Sequence, residues 1–169
     1  MVSKQKVLRS LKSAFDQIHG PARGVSDTLT HAELRDLRSN IALLRFEDLQ
    51  IRLPQVLSDL LEDHADDLFD QKDIHYVVNH LDVLRCSSDD KLLKDYFGDE
   101  AYKQALAEAD YTRDTLSKFY AGFTQSQCSA ISEWLELASS LKKFQDFSRQ
   151  MKSTLPYWKA RGEGKCEKQ

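Results

Sequence analysis

The sequence predicts an all-α fold: a single-domain bundle of about seven helices, closed by a flexible polar tail. Three observations carry this reading. Apolar residues recur at three- and four-residue intervals almost throughout the 169-residue chain. Val and Ile are sparse and never alternate with polar residues over the length of a strand. Gly, Pro and clusters of Ser, Thr and Asp fall between the periodic runs, where helices stop and start. A hydrophobic share of 41% suits one core at this length. No segment repeats at a fixed period, which sets helical arrays aside. The expected division is a helical domain over 1–158 and a polar tail over 159–169.

The elements follow in order. Val7, Leu8, Leu11, Ala14, Phe15 and Ile18 line one face of the first helix, and His19-Gly20-Pro21 stops it. After a loop, Thr30 caps the second helix with Glu33 as its capping-box partner, and Leu34, Leu37, Ile41 and Leu44 mark the buried face. Leu49, Leu53, Val56, Leu57, Leu60 and Leu61 keep helical spacing across Pro54. The simpler reading places Pro54 in the first turn of a new helix, after a short one over Glu47–Arg52; a kinked continuous helix is the alternative. Glu47 and Asp48 read as N-terminal charges favoured by the helix dipole.

From about Asp70 to Arg85, Ile74, Val77, Val78, Leu81 and Leu84 form the next buried face. A short helix carrying Leu92, Leu93 and Tyr96 follows the Ser87-Ser88-Asp89-Asp90 turn. A longer helix runs from Asp99 to about Phe119 and ends by Gly122. Thr124 and Gln127 cap a helix whose inner face is Cys128, Ile131, Trp134, Leu135, Ala138 and Leu141. Phe144, Phe147, Met151 and Leu155 carry the last segment up to Pro156. Phe15, Leu53, Leu57, Ile131, Trp134 and Leu135 are expected to share one core.

Motifs for chemistry are missing where they would be expected. Neither GxxxxGK[ST] nor a GxGxxG after a strand occurs, and Arg161-Gly162-Glu163-Gly164-Lys165 lacks the helix a phosphate loop must open. His75 and His80 are five apart, on different sides of a helix, and no HExxH or EF-hand loop is present. His64 lies among Glu62, Asp63, Asp66 and Asp67, which reads as solvated charge rather than a metal site. Cys128 falls on an apolar helix face, where a buried thiol packs rather than reacts. The reading is therefore not an enzyme, with no catalytic, cofactor or metal residues nominated. The three cysteines, Cys86, Cys128 and Cys166, show no disulfide spacing. That points to a reducing cytoplasm. No apolar run approaches the ~18 residues of a membrane span, and the N-terminus has no signal-peptide core.

Charge is more informative. The net charge is -3, against a general nucleic-acid binder. Between Asp59 and Asp73 lie Asp59, Glu62, Asp63, Asp66, Asp67, Asp70 and Asp73, with Lys72 as the sole base. The ends are basic: Lys4, Lys6, Arg9 and Lys12 at one, Lys142, Lys143, Arg149, Lys152 and Lys159 toward the other. One reading is a solvated corner that pairs with the basic ends. The other is an acidic face that docks a basic partner, with Asp63, Asp66, Asp67, Asp70 and Asp73 as the contact residues.

Three stretches together carry a resemblance: Leu11-Lys12-Ser13-Ala14-Phe15 with Gly20-Pro21 behind it, Arg52-Leu53-Pro54-Gln55-Val56-Leu57, and Phe123 to Leu135 with the closing Tyr157-Trp158. Their order resembles small all-helical bacterial proteins of unknown function. Some of those look like immunity proteins of contact-dependent growth inhibition and other polymorphic toxin systems. The resemblance implies a stoichiometric inhibitor of a secreted nuclease domain, bringing no catalytic residues. Two other classes stay open: a helical adaptor or regulatory module with another partner, and an enzyme with a site built from dispersed residues.

Overall fold

The computed structural model describes residues 3–16, 29–62, 70–83 (backbone alone at 70–72), 99–100, 103, 107, 111 and 113–165. Lys4–Asp16 forms α1 and turns Val7, Leu11, Ala14 and Phe15 inward, the face its spacing predicts. The His19-Gly20-Pro21 stop lies outside the described residues. In α2, His31–Ser39, both capping-box hydrogen bonds between Thr30 and Glu33 are present. This helix ends sooner than expected: Asn40 caps it, and Ile41–Leu43 forms a separate 3₁₀ turn that still buries Ile41.

The helix α3 runs unbroken over Phe46–Leu61 with Pro54 inside it, so the split at Pro54 is corrected. The energetics say why. An internal proline costs ~3 kcal/mol through the lost hydrogen bond and ring clash. Six residues on both sides of it (Leu49, Leu53, Val56, Leu57, Leu60, Leu61) share one buried face. Each such side chain contributes ~1.5–3 kcal/mol on burial, and breaking the helix would turn one half away. Glu47 and Asp48 do occupy the first turn.

Asp70–Leu81 forms α4, burying Ile74, Val77, Val78 and Leu81. The expected helix around Leu92–Tyr96 lies outside the described residues, as do Ile18 and Leu84. The segment expected as a helix from Asp99 is helical at its described residues, 99–100, 103, 107, 111 and 113–120 (α5), and residues 121–122 turn the chain. A β-carbon on Gly122 would sit 2.5 Å from the Phe46 ring, so only glycine allows that approach. Gln125–Ala138 forms α6 with the Thr124–Gln127 capping box intact. The segment expected as one last helix is two: a 3₁₀ stretch Lys142–Phe147, then α7 over Ser148–Gly162.

Helix α6 lies against α1 on one side and α7 on the other; α1 also packs on α3, and α2 bridges α3 and α4. All the described elements are helical, and their buried side chains form one core. The six residues expected to share it do so. Trp134 is fully buried and donates from Nε1 to the Leu57 carbonyl at 2.7 Å. Tyr120 gathers an aromatic cluster, with Phe123 and Trp158 rings at 5.0 and 4.9 Å. At the end of α4, the Leu81 carbonyl accepts the Val83 amide at 3.0 Å and keeps room for further donors. Trp158 Nε1 at 2.9 Å and Thr154 Oγ1 at 3.2 Å both donate to it.

Residues 159–162, expected in the tail, are helical. Helix α7 continues through Pro156 and Trp158 to Gly162, because Trp158 is a core residue rather than the last anchor before solvent. Lys159 reaches Glu136 of α6 at 2.9 Å, and Arg161 donates to the Tyr157 hydroxyl and the Ala121 carbonyl. No described helix is long and apolar enough to cross a membrane.

Candidate partner-binding face

The acidic stretch spans the end of α3, the connection after it and the first turns of α4. Its two flanking carboxylates face inward. Asp59 accepts hydrogen bonds from Arg38 Nη2 and lies 3.0 Å from His31 Nδ1, both on α2. The side chain of Arg38 is 0% exposed and that of Asp59 10%. Asp73 is buried too: it accepts from Ser39 Oγ at 3.0 Å, with Arg35 Nε 3.9 Å away. Both carboxylates therefore fasten α2 to its neighbours.

Glu62 is exposed and is where the basic ends arrive. Lys4 Nζ donates to its carboxylate at 2.9 Å and Lys143 Nζ to its backbone carbonyl at 2.6 Å. The polarity seen along the sequence is partly matched in space at this point. Of the nominated contact residues, Asp63, Asp66 and Asp67 lie outside the described residues. Asp70 opens α4, and Asp73 is the inward-facing residue just described.

The sequence reading did not single out Arg38. The signal was there: Leu34, Arg38 and Ile41 share the i, i+4, i+7 register of the buried face, so the arginine occupies an apolar position. His80 follows the same logic beside Val77 and Leu81. It is buried, with Nδ1 2.5 Å from the Tyr120 hydroxyl. Burial, and to a lesser degree Tyr157, pushes the Tyr120 phenol well above its ordinary value. The hydrogen-bonded pair packs the core there. His75, by contrast, is exposed and accepts from Asn79 Nδ2 at 2.8 Å.

Among the described residues no group of three His, Cys, Asp or Glu side chains converges on a metal-sized site. Arg161 and Gly162 end α7, and Gly164 turns with φ +72°, so Arg161–Lys165 is a helix terminus and not a phosphate cradle. A groove of about 590 Å³ lies between α1 and α3. Leu8, Phe15, Leu34, Ile51 and Pro54 form its apolar lining, and Asp59 stands on its edge. Lys12, Asp16, Gln55, Ser58 and Glu62 also line it.

No protein-family model matches the chain, and no curated protein or solved structure matches it either.

Proposed function

We propose that this chain is an immunity protein, which binds a cognate nuclease toxin domain and blocks its active or substrate-binding surface. The observation that carries the reading is the run of seven acids against one base over Asp59–Asp73. Nuclease clefts are basic because their substrate is a polyanion, and an acidic face can steer to such a cleft and occupy it. A bundle with a continuous core is the rigid support such an inhibitor needs. Asp59 and Asp73 hold α2, so the docking charges are those between them: Asp63, Asp66, Asp67 and Asp70. No cofactor or metal enters this function, and the nucleic acid is the toxin's ligand, not this chain's.

The test is association with the toxin domain encoded beside this chain, followed as a function of salt. Exposed charges are screened beyond ~10 Å at 0.1 M, so the on-rate should fall as salt rises. Replacing Asp66 and Asp67 together by Lys should slow association and abolish protection while the helical spectrum persists. Asp→Asn at both positions should do less, because an amide removes attraction without adding repulsion. Equal reversal at Glu108 and Asp110 serves as the control. Binding that ignores both salt and the double reversal would move the docking face away from this stretch, and failure of the neighbouring domain to bind at all would remove the reading.

A further inference from the structure

We infer that α2 is a releasable strap, undocking from α3 and α4 as one unit while the rest of the bundle stays folded. The helix has nine residues, and Leu34 is its one buried apolar side chain. By comparison, α3 buries six apolar side chains and α6 a continuous inner face that includes Ile131, Trp134 and Leu135. What holds α2 instead is polar: Arg38 and His31 on Asp59 of α3, Ser39 and Arg35 on Asp73 of α4. A buried ion pair contributes little net stability, because desolvation offsets most of the attraction. The strap is thus well specified in position and weakly held in energy.

Its surroundings give the release a consequence. Leu29 and Leu34 form one wall of the groove between α1 and α3. Undocking α2 removes that wall and bares the surface of α3 and α4 beneath it. The 3₁₀ turn Ile41–Leu43 is the natural pivot: Asn40 ends α2 there, Ile41 stays anchored in the core against α4, and Leu43 stands 80% exposed. Opening would widen the groove on that side and free the Asp59 and Asp73 carboxylates from their α2 partners.

Native-state hydrogen exchange on the full chain, in low denaturant and without a partner, tests this. The amides of α2 from Leu34 onward should exchange through one shared opening, roughly a hundredfold faster than the inner amides of α6. Asp73→Ala removes one of the two anchors and leaves the Arg38–Asp59 pair in place. It should speed all α2 amides by about tenfold and leave α6 and α7 unchanged. Three outcomes overturn the inference: α2 amides that exchange only with global unfolding, α2 amides that exchange independently of one another as a fraying end does, or an Asp73→Ala effect equal in α2 and α6. Should Asp73→Ala fail to fold, the wild-type exchange pattern decides alone.

Discussion

Trp134 does two jobs at once: its ring fills the space between α6 and α3, and its indole N–H satisfies the Leu57 carbonyl. The two can be separated. Trp134→Phe keeps most of the volume and loses the hydrogen bond, for an expected cost of about 1–2 kcal/mol. Trp134→Ala also opens a cavity and should cost ~3–5 kcal/mol. Denaturant unfolding of both variants measures the difference. Thr124 is a smaller case. Its hydroxyl accepts from the Gln127 amide at 3.3 Å while Gln127 Oε1 accepts from the Thr124 amide at 2.8 Å. Thr124→Ala should lower stability by ~1 kcal/mol, and that loss will register globally because α6 contacts both α1 and α7. Cys128 is buried at 1% exposure, so a thiol reagent should reach it only at the rate of unfolding.

At the scale of elements, the join between α1 and α6 responds to acid. Burial raises the Glu133 carboxyl, but hydrogen bonds from Lys6 and Ser10 and the Lys6 charge outweigh it, so its pKa lies below the ordinary 4.5. A lowered carboxylate pKa adds stability above the unfolded value and loses it as pH falls through the folded one. The α1–α6 contribution should therefore be complete above about pH 5 and decline as the pH drops below 4.5. Glu133→Gln should remove that part of the acid sensitivity, read as a flatter stability-versus-pH curve. A second element-level expectation concerns α7. A β-carbon on Gly162 would lie 2.9 Å from the Ser129 backbone, which cannot yield. Gly162→Ala should push the end of α7 off α6 and cost ~1–3 kcal/mol, measured by thermal unfolding. Most elements were legible in the sequence because apolar period and capping boxes are local signals. What the sequence could not supply was the competition that decides Pro54, where the gain from one shared buried face exceeds the local cost of proline. The continuation of α7 past Trp158 was hidden for the same reason. Its polar last turn is held by Glu136 and Ala121, which no local pattern foretells.

Over the whole molecule, charge is the property that sequence and structure read differently. Counted along the chain, the middle is acidic and the ends basic. Folded, Glu62 meets Lys4 and Lys143, Glu133 meets Lys6, and Asp59 and Asp73 are spent on α2. A linear charge count cannot tell a carboxylate that faces solvent from one that clamps a helix, so it gives no sign that Asp73 is buried and accepts from Ser39 of α2. The core was readable from pattern; the candidate face was readable as composition alone.

The contact at Leu81 bears on how the protein is made. The α4 carbonyl also accepts from Thr154 and Trp158, 73 and 77 residues later, and Leu57 waits as long for Trp134. A nascent chain emerging from the ribosome can pack its early helices through α2, yet the side-chain donors to Leu57 and Leu81 arrive only with residues 134–158. Release without α7 should leave Val77, Leu81 and Tyr120 uncovered. A chain stopped after Phe147 is expected to aggregate or be degraded rather than persist as a smaller bundle, which a solubility assay of the truncated product would reveal.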